Sequence, residues 1–421
     1  MTQPEFVINE RTMGVMGQDS KGNPKYFEKA SFSITLLKHV EAEAQDSGFL
    51  SLVKCSITGK DKQCFFRAQK VIIGGVNKFL EELNSSFGPG VLMCNFESGE
   101  FRMFLKMIMS SYFRNCANEN RCDSFKAATT LGRPKDNLKV WVMGEVQVNN
   151  LGEVVPEDAR EYVYIPELTA SRIKPPELVL PFKKEALNGV FSSLKDTIHH
   201  NYMGGLVAVA GLCIGLHYEQ IIREGYHCPI PVICGEHRLG KTKSARVALR
   251  LMGNDHHFFS SARERFIPHL CSRSSFPPVL DDLKNAHQLG EIALAYYDGG
   301  KDGTCAKEME PKTCPMVTMN WEALDGLAQD YRVASRLTFI PFVVGPRSPN
   351  GLEQQQQAEA TWKARYDEAP MALGPLLAIN VADVIEQGKC LKREIAGLYP
   401  DVDDRICENY GILLAMASEV K

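Results

Sequence analysis

The sequence predicts an α/β fold: a mainly parallel sheet flanked by helices, with an α+β domain before it and a helical region after it. Three observations carry this. From about Pro229 onward, short apolar runs alternate with stretches of helical spacing, the pattern of strands joined by crossover helices. One of those runs leads at once into a glycine-rich loop and then a helix. Pro175, Pro176 and Pro181 punctuate the chain ahead of it and mark a boundary between two regions.

The 421 residues suggest two or three domains at ~100–200 residues each. Hydrophobic residues at 44% and charged residues at 24% are ordinary globular values and rule out wholesale disorder. A formal net charge of -3 gives no global basic field, so any nucleic-acid contact must come from a local patch. The 13 cysteines are irregularly spaced without a Cys-x-x-Cys pair, and read as reduced thiols of an intracellular protein, in cytoplasm or nucleus. The N-terminus lacks a charged-then-apolar leader. The longest apolar run, Gly204–Leu216, is shorter than the ~20 residues a bilayer requires, so it predicts a buried helix and no membrane partner. The start at Met1 reads as natural; the apolar helical run Gly411–Ala417 close to Lys421 leaves room for a longer native chain.

Residues 1–30 are polar and glycine-punctuated and predict a mobile arm or an edge strand. Residues 31–180 form the α+β domain. There, Leu50–Thr58 and Gln63–Ile73 carry alternating or β-branched runs, Gly74-Gly75 leads into a helix over Val76–Leu83, and Phe101–Phe113 predicts an apolar helix with Ser98 as its cap. Leu138–Val148 and Glu153–Val155 flank Asn149-Asn150-Leu151-Gly152, a hairpin pattern. Residues 181–228 are a helical lead-in, with helices over Lys183–His200 and Gly204–Glu224. Residues 229–345 hold the sheet, with strands at Pro229–Cys234, Pro277–Leu280 and Met316–Met319. Gly345–Gln357, with its run of glutamines, reads as a polar surface loop at the head of a helical region over residues 346–421.

Gly235-Glu236-His237-Arg238-Leu239-Gly240-Lys241-Thr242 fits G-x-x-x-x-G-K-[ST] in full. The context fits too: the strand Pro231-Val232-Ile233 precedes it and a helix pattern, Ser244–Met252, follows. Glycines let the backbone turn its N–H groups onto phosphates, and the helix N-terminus adds favourable partial charge. The loop through Lys243 is therefore the expected nucleotide cradle. Lys241 would neutralise the β- and γ-phosphates of ATP, and Thr242 would hold Mg2+.

Val279-Leu280-Asp281-Asp282 ends an apolar strand with two carboxylates. Asp281 would complete the Mg2+ shell and Asp282 would orient or deprotonate the attacking water; a helix N-cap is the plainer use of such an acid. Pro315-Met316-Val317-Thr318-Met319-Asn320 is an apolar strand ending in an amide. Asn320 is a candidate sensor of the γ-phosphate, or a simple turn former. Arg336, ahead of the apolar Thr338–Val344, is a candidate arginine finger acting in a neighbouring subunit, with Arg332 second; an ion-paired surface arginine is the alternative. His199-His200 and His256-His257 show no zinc pattern and read as surface or capping residues.

In this order, these elements resemble the ATPase module of superfamily-three helicases and their AAA+ branch, over Pro229 to Val344. A looser similarity, from Phe32 to the C-terminus, is to replication proteins of phages, plasmids and mobile elements. The loop interior Glu236-His237-Arg238-Leu239 departs from that family in being bulky and charged. The resemblance implies a homo-oligomeric ring, a hexamer among the sizes it admits, and DNA as a partner. It also implies a DNA-gripping hairpin at Asp298–Lys307, with Lys301 and Lys307 as candidate phosphate contacts. The function expected is an ATP-hydrolysing nucleic-acid motor. A nucleotide-gated assembly switch is the alternative, and a small-molecule kinase a more distant one.

Overall fold

The computed structural model describes residues 4–42, 46–120, 124–166, 173–261, 266–284, 286–300, 302–304, 307–324, 327, 330–345 and 351–421, with backbone alone at 302–304, 307–309, 351–355 and 358. It divides into two units, Met1–Thr129 with Pro156–Arg172, and Thr130–Val155 with Ile173–Lys421.

In the first unit, the polar N-terminal stretch is an antiparallel meander of three strands: β1 (Glu5–Ile8), β2 (Met13–Gln18) and β3 (Pro24–Ala30). It is anchored rather than mobile. Met13 is fully buried, and Phe6 packs its ring against Phe96 and Phe104. Next come β4 (Phe32–Glu41), β5 (Gly48–Cys55) and β6 (Asp61–Arg67), then α1 (Ala68–Phe87) and α2 (Ser98–Asn118). After β7 (Phe125–Ala128) the chain contributes a hairpin to the second unit, β8 (Val140–Met143) and β9 (Val146–Asn149), before β10 (Tyr162–Tyr164). The sheet order is β10-β7-β4-β5-β6. Its core is aromatic, with Phe32, Phe66 and Phe101 around Phe79.

Two expectations change here. The β-branched run to Ile73 does not stay extended: the strand ends at Arg67 and a helix begins. Val71, Phe79 and Leu83 bury on one side while Ile73 is exposed, which is helical spacing and not alternation. The cap of α2 is Glu97, one residue before Ser98; Glu97 N–H donates to Glu100 Oε2 at 3.1 Å in a capping box.

Beyond the β8–β9 hairpin, the second unit continues with α3 (Lys184–Ile198), α4 (Tyr202–Leu216) and α5 (Tyr218–Arg223). The single helix expected over Gly204–Glu224 is broken at His217. That ring is buried, donates from Nε2 to Leu376 O at 2.8 Å, and accepts at Nδ1 from Arg133 Nη2 at 3.1 Å. Helix α4 is apolar nearly all round and buried accordingly. Among the described residues no single helix is long and apolar enough to cross a membrane.

The chain continues through β11 (Ile230–Gly235), α6 (Lys241–Leu251), β12 (Phe258–Phe259), α7 (Phe266–Arg273), β13 (Val279–Leu280) and α8 (Ala286–Tyr296). A short antiparallel hairpin, β14 (Asp302–Thr304) with β15 (Lys307–Met309), precedes β16 (Met316–Met319), α9 (Tyr331–Ala334) and β17 (Leu337–Phe342). Then come α10 (Gly351–Tyr366), α11 (Leu373–Leu377), α12 (Val381–Leu398) and α13 (Asp404–Val420). The expected glutamine-rich loop is thus the start of helix α10, in keeping with the good helix propensity of glutamine.

Strands β12, β13, β16, β11 and β17 form one sheet in that order, every pair parallel. Every residue of β11 is buried, as a parallel strand covered on both faces requires. Parallel pairing brings the C-terminal ends of β11, β13 and β16 to one edge, with Cys234 beside Met319 and Leu280 beside Val317.

Two buried histidines make this unit acid-sensitive. Burial, aided by Arg133, pushes His217 down to about 3; burial, aided by His256, does the same to His257, also to about 3. His257, expected at the surface, is 2% exposed. Between the ordinary histidine pKa and these values the unfolded chain binds more protons than the folded one, so stability falls as pH falls. The expected loss is about 1.4 kcal/mol per pH unit for each histidine below about pH 6.5. Urea unfolding at pH 6.5 and pH 5 checks this; His257→Gln is expected to flatten the slope by about one proton.

Candidate functional site

At that edge of the sheet, the loop after β11 turns into α6 and the predicted residues meet. Gly235 has φ 155, and a Cβ there would lie 2.4 Å from Phe342 O on the adjoining strand. Gly240 has φ 96, and its Cβ would lie 2.7 Å from Ile198 Cγ2. Both positions therefore demand glycine, as the motif implies. Glu236, His237 and Arg238 are exposed, and the last two line the cleft beside the loop. Arg238 sits at φ 63, a left-handed conformation that costs a non-glycine residue about 1–3 kcal/mol.

Lys241 is 8% exposed. Its Nζ donates to Gly235 O at 2.6 Å, Glu236 O at 2.6 Å and Asn320 Oδ1 at 2.8 Å. Burial pushes the ammonium below the usual lysine range, opposed chiefly by the charge of Asp282. Asn320, at the end of β16, donates in turn from Nδ2 to Asp282 Oδ1 at 3.1 Å. The amide thus links the loop lysine to the second acid.

The first acid is held from two sides. Thr242 Oγ1 donates to Asp281 Oδ1 at 3.0 Å and Thr318 Oγ1 donates to the same oxygen at 2.7 Å. Thr318 Oγ1 also accepts from Asp282 N at 2.9 Å. This pins the backbone at Asp282, whose φ of 55 is left-handed. Thr242 and Asp281 present a hydroxyl and a carboxylate side by side, the hard oxygen donors that suit Mg2+. Neither acid caps a helix; they occupy the turn that ends β13.

Sequence reasoning missed three contributors. Thr318 carries a hydroxyl inside the apolar strand Met316–Met319, and that one polar residue was the available signal. Asn201, 4% exposed, braces the loop: Nδ2 donates to Leu239 O at 3.3 Å and Val343 O at 3.0 Å, and Oδ1 accepts from Val343 N at 2.9 Å. Nothing in its neighbourhood of sequence marks it. The third is α10, whose Glu359, Trp362, Lys363 and Tyr366 join the loop, Asp281, Asp282 and Asn320 around a cleft of about 1100 Å³.

Arg336 is not part of this cluster. It precedes β17, which runs parallel to β11, and so lies at the opposite end of the strands, about 20 Å from the loop. Its Nη2 donates to Asp298 Oδ2 at 3.2 Å and its guanidinium lies 5.4 Å from the Tyr297 ring centre. Arg332, on α9 at the same end, is 77% exposed and pairs with Asp330 at 3.4 Å. Of the expected hairpin contacts, Lys301 lies outside the described residues, and Lys307 is placed by backbone alone as the partner of Thr304.

No family model matches the chain, and no curated protein matches it. Among solved structures, the chain is similar to the active helicase Cch of SCCmec type IV, with TM-score 0.62 at 12% identity, over 100% of this chain and 74% of that one. The fold is therefore that of a solved helicase. JCV helicase aligns with TM-score 0.27 at 16% identity, over 55% of this chain and 73% of that chain. The C-terminal region of NrS-1 aligns with TM-score 0.24 at 10% identity, over 75% and 81%.

Thr318 supplies the measurable test of the site's architecture. Thr318→Val removes one hydrogen bond to half-buried Asp281 and one from Asp282 N, so a loss of about 0.5–1.5 kcal/mol per bond in unfolding free energy is expected. Thr318→Ser is expected to keep most of it.

Proposed function

We propose that this chain is an ATP-hydrolysing nucleic-acid motor, a DNA helicase or translocase of a replication or mobile-element system. The observation that carries the reading is the convergence of Lys241, Thr242, Asp281, Asp282 and Asn320 in one hydrogen-bonded network at the C-terminal edge of a parallel sheet. The fold's likeness to the SCCmec helicase supports a motor, but a fold hosts many functions and the argument rests on the site.

Each group has a task in phosphoryl transfer to water. The loop N–H groups and Lys241 bind the β- and γ-phosphates, Lys241 exchanging its carbonyl partners for phosphate oxygens. Thr242 and Asp281 would hold Mg2+, which supplies positive charge against the phosphate oxygens. Asp282, aligned by Asn320, holds the attacking water and takes its proton as the water oxygen bonds to the γ-phosphorus. The bond from that phosphorus to the β–γ bridging oxygen breaks, releasing ADP and phosphate. Arg332 and Arg336 lie too far from this chain's own loop to serve it. Their end of the sheet supports action on a neighbouring copy, hence a ring. Lys301 and Lys307 are the residues this reading assigns to the DNA strand.

Steady-state ATP hydrolysis with single-stranded DNA, duplex DNA or RNA tests the reading. Stimulation by DNA is expected, with Lys241→Ala and Asp282→Asn each lowering kcat by about 100-fold or more. Tight ATP binding with slow turnover that no nucleic acid raises would move the assignment to a nucleotide-gated assembly switch.

Complementation tests the arginine. Asp281→Asn and Arg332→Ala chains are each expected to be inactive alone and to recover part of the activity when mixed, because one interface in the mixture then has both groups intact. Arg336→Ala in place of Arg332→Ala distinguishes the two candidates. No recovery with either would exclude an arginine acting between copies.

A further inference from the structure

Helices α6 and α10 are tied to one another at two points seven residues apart on each. At one end Lys243 Nζ lies 3.5 Å from Glu359 Oε1. Seven residues further along each helix, Arg250 Nε donates to Tyr366 O at 2.8 Å and its guanidinium lies 4.2 Å from the Tyr366 ring centre. Between these ties, Arg246 on α6 and Trp362 on α10 line the same cleft as the phosphate loop.

The aromatic side of the cleft is tied to its surroundings by a hydrogen bond and a ring contact. Tyr366 donates from its hydroxyl to Asp255 Oδ2 at 2.7 Å. Trp362 meets Tyr366 edge-on, ring centres 5.7 Å apart at 89°, a geometry that fixes an indole without covering both its faces. Trp362 is half-buried. On the α6 side, the Arg246 guanidinium lies 4.2 Å over the ring of Phe258, a second flat layer. A triphosphate uses cations and backbone N–H groups and has no use for an indole. The cleft, at about 1100 Å³, exceeds what a phosphate chain fills and lies at the upper end of small-ligand sites. A half-exposed tryptophan opposite an arginine layer suits a planar, electron-rich ring system.

We propose that Trp362 is the nucleobase platform of this site: the purine of a nucleoside triphosphate stacks on its indole, with Arg246 facing it from α6. This rests on the nucleotide-binding reading above and adds what selects the base. Purines are favoured over pyrimidines because they present the larger stacking surface. Helix α10 closes the base half of the cleft as the loop closes the phosphate half.

The experiment compares two ligands on the full chain by calorimetry in the presence of Mg2+: ATP, and inorganic tripolyphosphate, which has no base. One base–aromatic stack is worth about fivefold to 150-fold in affinity. Trp362→Ala is expected to weaken ATP by that factor and to leave tripolyphosphate within about twofold. Trp362→Phe is expected to restore most of the ATP affinity while abolishing ATP-induced quenching of tryptophan fluorescence. Equal weakening of both ligands by Trp362→Ala would assign Trp362 to holding α10 in place, and overturn the proposal; so would unchanged ATP affinity. If the unsubstituted chain binds neither ligand, the nucleotide reading fails and this one with it.

Discussion

Everything at this site depends on a buried ammonium. Lys241 is almost wholly removed from water, and a charge in that position is costly unless its donors are used. Its three partners come from Gly235, Glu236 and Asn320. All are neutral. The lysine is therefore satisfied as a donor without being cancelled as a charge. A carboxylate in place of the Asn320 amide would cancel that charge. The requirement reaches into the topology: for Asn320 to touch the loop, β16 must lie directly beside β11, and the acid strand β13 is displaced one place outward. The sheet order is in this sense the consequence of putting a neutral acceptor next to the lysine and an acid behind it.

The acids show the complementary solution. Asp281 accepts from two hydroxyls, Thr242 and Thr318, which orient it without supplying positive charge, so its own charge is not offset. Asp282 adopts a left-handed backbone that a non-glycine residue enters at a cost. The hydrogen bond from Asp282 N to Thr318 Oγ1 and that from Leu283 N to Thr318 O at 3.0 Å hold it there. One threonine thus fixes one acid by its side chain and the turn carrying the other by both its hydroxyl and its carbonyl. Strain at the carboxylate that would handle the water is balanced by bonds from a fully buried strand.

How much of this was legible follows from what leaves a mark in sequence. The glycine-rich loop after β11 was readable because the motif fixes residue types at fixed spacing: Gly235 and Gly240 are glycine for steric reasons in the fold, and Lys241-Thr242 stand at the helix start. The adjacent acids and Asn320 were readable because strand ends recur at the same edge. Thr318 and Asn201 were not, since their contacts span 36 to 142 residues of chain and a lone hydroxyl or amide has no period. The helical α10 was obscured by its glutamines, which are polar enough to pass for a loop while still favouring helix. The anchored N-terminal meander was only half legible, as an arm or an edge strand: most of its residues are exposed or half-exposed, and Met13, Val15, Ala30 and Phe6 alone among its described residues join the core.

The two arginines beyond the far end of β17 differ in what each must give up to act elsewhere. Arg336 would break its pair with Asp298, which His227 also contacts at 2.9 Å, and leave its place over the Tyr297 ring. Its side chain is only 16% exposed, so those contacts are poorly screened and leaving them is expensive. Arg332 holds an exposed pair two residues away in sequence, a type worth about 0–1 kcal/mol. It can swing outward at almost no cost. If an arginine at this end of the sheet reaches a neighbouring copy, as the proposed ring requires, this difference in cost favours Arg332, while Arg336 stays paired with Asp298.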